Sequence, residues 1–351
     1  MKCAVYYGPR DVRLEDRPIP EPGSGQLLVR VDYVGICGTD VHSYQMAGII
    51  SPVRVLGHET VGTVVRIGSG VKEFAVGDQI LCGPPTRCRE NCPSCRRGET
   101  NICINGFPRT AGIGELDGGY AEYLLVNDVR HTMLIKVPAG VNAREAVLFD
   151  VVCVAFHGIR KSRFRLGDNV VISGGGSIGL SAIALLKLAG ANKIIALEVA
   201  EDKHDIMRAY GADYVLNPKR FDDVGAKIRD ILGTGVGADV VFECVGRADS
   251  LETCVMQCVR PGGQVMLIGA GGEPLSLATA RFVPHEIDLQ CSFVYTEDEV
   301  RTYLELMAVG KIDFSTLVTD VIHLEDCVER GLERLSRPGN GQIKILIAPS
   351  A

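Results

Sequence analysis

The sequence lacks an excess of positive charge, an unbroken apolar run of membrane-spanning length, an internal repeat and a low-complexity linker. Its 43 acidic residues outnumber 37 basic ones for a net charge of -6, which argues against the basic surface that a nucleic-acid partner needs. One uncharged stretch, residues 169–186, approaches the length of a membrane span, but Gly174, Gly175, Gly176 and Gly179 cut it. It reads as a strand, a turn and a helix start, so no membrane association is expected. Residues 1–9 hold neither the apolar core nor the cleavage signature of a secretory leader, and a cytoplasmic location is expected. With 46% hydrophobic and 23% charged residues over 351 positions, the composition suits a globular protein long enough for two domains.

Cysteine, by contrast, is plentiful. There are 13, an odd number, and Cys88, Cys92, Cys95 and Cys103 bunch together. In a reducing compartment such bunching points to metal rather than to disulfides. Four thiolates close a tetrahedron around zinc, and a site with every position filled stiffens a loop instead of doing chemistry. Pro93 and Gly98 suit the tight turns this loop needs. The remaining thiols, among them Cys3, Cys244, Cys254, Cys258, Cys291 and Cys327, are expected to be small buried hydrophobes.

A second, more open set of ligands consists of Cys37, His58 and Glu59. It needs a further ligand from elsewhere, and Asp150 is the candidate, because an ionisable group inside the apolar run 148–152 is costly unless paired or metal-bound. The other reading of Asp150 is a buried helix cap.

Downstream, Gly174, Gly176 and Gly179 have G-x-G-x-x-G spacing after a strand-like run, with Ser177 and Ile178 opening a helix. The first glycine permits the turn, the second lets phosphate approach the backbone, and the third allows close helix–strand packing. Free N–H groups at the helix start suit a pyrophosphate. Glu198 follows 19 residues after Gly179, at the end of the next strand-like run. Its carboxylate accepts hydrogen bonds from the adenosine ribose and repels a 2′-phosphate, so NAD is favoured over NADP. Lys203 lies five residues further on, too distant to reverse that preference.

Residues 1–150 contain short β-type runs, near 26–31, 60–65, 79–82 and 120–126, separated by glycine and proline. From about residue 145 strands alternate with helical patterns, which predicts a parallel sheet covered by helices. Pattern alone assigns no home to the last strand, residues 343–347.

Taken together, Gly35-Ile-Cys-Gly-Thr-Asp-Val-His42, Gly57-His-Glu-Thr-Val-Gly62, Val76-Gly-Asp78, the cysteine loop, Asp117-Gly-Gly-Tyr-Ala-Glu-Tyr123 and the glycine motif resemble the zinc-dependent medium-chain dehydrogenase/reductases almost from end to end. The resemblance implies an α/β fold: a GroES-like, mainly β catalytic domain (residues 1–150, completed by 288–351) and a Rossmann domain with a doubly wound parallel sheet (151–287). It implies a catalytic zinc on Cys37, His58 and Asp150, with Glu59 as a nearby carboxylate able to enter the coordination sphere. A carboxylate at position 150 resembles the polyol, butanediol and threonine dehydrogenases; Cys153 is out of register for that role. By the same resemblance Thr39 receives the substrate proton and His42 passes it to solvent.

The implied activity is hydride transfer between NAD and a secondary alcohol or its ketone, with two zinc ions per chain, in a homodimer or homotetramer. A hydroxy amino acid such as threonine is the alternative substrate, and a non-catalytic zinc and nucleotide binder the alternative from another class. Two departures stand out. Cys88 and Cys92 are separated by three residues where the family usually has two, and Val294 in Ser292-Phe-Val-Tyr295 occupies a place where polyol dehydrogenases usually carry arginine.

Overall fold

The computed structural model describes residues 1–350 except 47, 89–91, 275, 277–278 and 338. The chain forms two compact units, Met1–Asp150 with Val294–Ala351, and Val151–Phe293.

The first unit is built on a sheet with spatial order Val318–His323, Lys344–Ala348, Leu27–Gly35, Glu59–Ile67, Gln79–Gly83 and Met133–Lys136, with Tyr123–Val126 pairing to Leu27–Gly35. A smaller sheet joins Asp11–Asp16, Lys2–Gly8 and Arg54–Val55. β-branched and aliphatic residues such as Val29, Val31, Val64, Ile80, Ile345 and Ile347 are fully buried between these layers. The run expected at 120–126 is a strand only over Tyr123–Val126, while Ala121 makes an isolated bridge to Cys3. The carboxy-terminal strand finds its home here, antiparallel to Leu27–Gly35 with Ile347 opposite Val34 and Leu346 opposite Gly35. All its residues are buried, including Lys344.

The second unit is a six-stranded parallel sheet. Counted in chain order, its strands are Asn169–Ser173, Lys193–Leu197, Tyr214–Leu216, Ala238–Glu243, Val259–Leu267 and Asp288–Cys291, and they lie in the order 3-2-1-4-5-6. This is the doubly wound order whose reversal point opens a crevice at the strand carboxyl ends. The consecutive residues Val170, Val171 and Ile172 are all fully buried, as in a strand covered on both faces. Val171, Ile195, Val241 and Val265 pack with Ile228, Leu251 and Val255 into one apolar cluster.

Two expectations change. The strand Asp288–Cys291 pairs with Val259–Leu267, so the second unit runs to Phe293 and not to 287. Cys291 is exposed and Cys244 only partly buried, because both lie at the ends of strands rather than within the apolar layer.

The helix Ser177–Leu188 begins against the strand that precedes it, and a Cβ on Gly179 would fall 1.9 Å from the Gly174 carbonyl oxygen. A Cβ on Gly176, whose φ is -80°, would meet nothing within 4 Å. Gly179→Ala is therefore expected to cost about 1–3 kcal/mol by overpacking. Gly176→Ala should stay within about 0.5 kcal/mol of the parent. Urea unfolding of the two variants checks this, and equal midpoints would contradict it.

Candidate functional site

Cys37, His58, Glu59 and Asp150 converge in the first unit, each offering a donor atom within 4.8 Å of the others. The sheet brings the first three together, because Gly35 pairs directly with Glu59 across antiparallel strands. Cys37 then caps the helix Gly38–Gln45, and Asp150 lies in the first turn of the helix Phe149–Lys161. Close approach depends on two glycines. A Cβ on Gly35 would sit 2.0 Å from Glu59 Oε2, and one on Gly57 (φ +93°) would strike the Tyr120 ring at 2.3 Å.

Burial makes the cluster a problem of charge. His58, Glu59 and Asp150 are 4%, 0% and 7% exposed, and Asp40 and Lys344 beside them are 0% and 2% exposed. Lys344 forms an ion pair with Glu59 and donates to the Ile36 carbonyl at 3.0 Å. Burial alone would push the Lys344 ammonium down and the Glu59 carboxyl up, but their mutual attraction reverses both directions. Burial and the Glu59 charge push Asp150 up to about 7, and burial raises the Cys37 thiol. For His58 the burial penalty is outweighed by Cys37 and Asp40, and its value rises to about 10.

Asp40 takes the Cys37 N–H at 2.9 Å and the Tyr120 hydroxyl at 3.2 Å on Oδ2, with Oδ1 3.8 Å from His58 Nδ1. Among the described residues, His58 Nδ1 and Glu59 Oε1 have no hydrogen bond. Four acidic groups, Cys37, Asp40, Glu59 and Asp150, thus crowd around Lys344 and His58, and a divalent cation would favour the anionic forms of Cys37 and Asp150 that burial opposes. Cysteine, histidine and carboxylate are ordinary zinc donors, so the residues fit that ion.

Sequence reasoning quoted Asp40 and Tyr295 only within motifs, and Lys344 only within a strand. The available signal for Lys344 was a charge inside the apolar run 343–347. Thr39 is half-buried and His42 exposed, one turn apart on the helix Gly38–Gln45.

The cysteine loop also closes. Sγ of Cys88 lies 3.9 Å from that of Cys95, and Sγ of Cys92 lies 3.9 Å from that of Cys103. A tetrahedron with metal–sulfur distances of about 2.3 Å has edges of about 3.8 Å. The Cys95 N–H points at Cys92 Sγ from 3.5 Å and is the main reason that thiol falls to about 6. The spacer residues 89–91, where the extra residue of this loop must be absorbed, lie outside the described residues.

In the second unit Gly174 takes φ +106°, Gly176 caps the helix, and Ser177 and Ile178 form its first turn. Glu198 directly follows the strand Lys193–Leu197. Its carboxylate accepts from the Gly175 N–H at 2.6 Å and from the Ala200 N–H at 2.8 Å, which fixes it beside the glycine turn.

Residues 23–139 match the alcohol dehydrogenase GroES-like domain family, and residues 177–309 match the zinc-binding dehydrogenase family. The chain is 31% identical to the D-xylulose reductase A of Aspergillus niger, over 98% of this chain and 95% of that protein. It is similar in structure to the 2R,3R-butanediol dehydrogenase of Bacillus subtilis, with a TM-score of 0.88, 29% identity and 99% of each chain covered. A zinc-binding dehydrogenase of Sinorhizobium meliloti, whose crystal structure holds NADP, gives 0.87 and 30% with 99% of each covered. No helix among the described residues is long and apolar enough to cross a membrane.

Lys344→Met should leave Glu59 buried beside other anions and cost about 3–5 kcal/mol. Glu59→Gln in the same chain should recover much of that loss, because it removes the stranded charge. Urea unfolding of both single variants and the double variant checks the coupling, and additive losses would contradict it.

Proposed function

Because the chain belongs to the zinc-dependent medium-chain dehydrogenase/reductase family, we propose that it oxidises a secondary alcohol, either a polyol or a vicinal diol, to its ketone with NAD, using two zinc ions per chain. The observation that carries this reading is the convergence of the partly buried Cys37 with the buried His58, Glu59 and Asp150. The names of the relatives, a D-xylulose reductase and a butanediol dehydrogenase, favour a hydroxylated substrate.

Cys37, His58 and Asp150 would hold the catalytic ion, while Lys344 restrains Glu59 beside it. A bound zinc supplies Lewis-acid polarisation of a substrate oxygen, and the nicotinamide supplies the hydride acceptor. Thr39 takes the proton of the substrate hydroxyl. His42, one turn further along the helix and exposed, passes it to water. Asp40 faces the far side of the His58 ring, where a carboxylate orients a metal-bound imidazole.

Gly174, Gly176 and Gly179 would shape the pyrophosphate turn, and the amides of Ser177 and Ile178 at the helix start would offer hydrogen bonds to the phosphates. Glu198 accepts from the adenosine ribose, and its negative charge opposes a 2′-phosphate. Cys88, Cys92, Cys95 and Cys103 would hold the second zinc with no open position. A cytoplasmic homodimer or homotetramer completes the reading. The edge strand Asp288–Cys291, with Phe293 60% exposed next to it, supports association, since an uncovered strand edge invites pairing.

A panel of polyols, diols and hydroxy amino acids with NAD tests the activity directly, and absence of turnover across the panel would refute it. Two variants separate the metal sites. Cys37→Ser should abolish turnover with the fold retained, whereas Cys95→Ser should mainly lower the melting midpoint. Elemental analysis should give two zinc ions per parent chain; full activity with one or none contradicts the two-site reading. The kcat/KM for NAD should exceed that for NADP by at least about tenfold, the equivalent of about 1.4 kcal/mol. Equal values would mean that Glu198 does not meet the ribose.

A further inference from the structure

Asp150 has a partner that neither the metal reading nor the proton path uses. The Tyr295 hydroxyl donates to Asp150 Oδ1 at 2.5 Å, across 145 residues of sequence. Tyr295 is 0% exposed, and its ring meets Phe149 edge-on, with centroids 6.0 Å apart and planes at 81°. This is a short hydrogen bond between buried groups.

The backbone around Tyr295 is held from both sides. Val294, immediately before it, has φ +56°, a left-handed conformation that is an outlier for a β-branched residue. Such a conformation is strained and persists only where the surroundings determine it. Immediately after Tyr295, Thr296 caps the helix Glu297–Ala308, and Glu299 returns the hydrogen bond in a capping box. Farther along that helix the Tyr303 hydroxyl donates to the Glu145 carbonyl at 2.7 Å. Two tyrosines from one carboxy-terminal segment therefore grip the chain on either side of the helix start that carries Asp150.

We infer that Tyr295 is a positioning residue for the metal: by engaging Oδ1 it fixes the Asp150 carboxylate so that Oδ2 alone is presented as the ligand atom. A carboxylate with two equivalent oxygens would otherwise be able to rotate or chelate. The fixed, single-oxygen donor leaves room at the ion for a substrate oxygen. This inference rests on the reading of Asp150 as a metal ligand.

Cobalt(II) in the full-length protein is the probe. Tyr295→Phe removes one oxygen and keeps the ring against Phe149, so the fold is retained. It should weaken cobalt binding at this site about 10- to 100-fold in chelator competition, the usual effect of losing a partner that orients a ligand. The ligand-field bands of the bound cobalt should shift as well. Tyr303→Phe removes a hydroxyl from the same segment without touching Asp150, and should leave both readouts unchanged. Unaltered cobalt affinity and bands in Tyr295→Phe, or equal losses in the two tyrosine variants, overturn the proposal. Asp150→Ala tests the underlying reading separately. Loss of one metal per chain supports it, whereas retention of both refutes the ligand role of Asp150 and the proposal with it.

Discussion

An ammonium, an imidazole, a thiol and three carboxyl groups can share a water-poor junction only when their charges are balanced. The region where the strands Leu27–Gly35, Glu59–Ile67 and Lys344–Ala348 meet is organised by that requirement. The Glu59–Lys344 ion pair joins the beginning of the first unit to its last strand, 285 positions later. Without the ammonium, Glu59 would take a proton or push its strand away from Gly35. With it, Glu59 stays ionised and lies over a backbone that only glycine leaves open. The pair is thus more a constraint on which conformation the cluster adopts than a large net source of stability.

The two thiol-containing groups are assembled from potential metal ligands in opposite ways. Four cysteines in one short loop satisfy each other locally, with backbone N–H groups on the sulfurs of Cys103 and Cys92. Cys37, His58, Glu59 and Asp150 come from three separate places in the chain and depend on the sheet to meet. The first arrangement braces a loop. The second gathers acidic groups around Lys344 and His58, the setting in which a bound divalent cation would polarise a substrate oxygen.

Much of this was legible in the sequence because the informative residues are of costly types. Thiols bunched in a loop, a glycine triplet between a strand and a helix, and Asp150 inside an apolar run each contradict their surroundings unless they have a purpose. The parallel strands of the second unit were legible as apolar runs at regular spacing. What escaped is long-range pairing. Nothing local to Lys344 names Glu59 as its partner, and nothing local to Tyr295 names Asp150. The same limit applies to the boundary after the second unit, since only sheet pairing assigns Asp288–Cys291 to it. Cys291 was misjudged as buried because a cysteine on an edge strand has the same sequence environment as one on a central strand.

The buried cluster at the strand junction is read here as a metal site and not as a self-contained ion network. Anomalous diffraction at the zinc absorption edge tests it most directly. A zinc peak is expected in the first unit, bonded to Cys37 Sγ, His58 and a single oxygen of Asp150, with Glu59 held on Lys344. A crystal of active protein with no anomalous peak there, and the four side chains in the same positions, would contradict it.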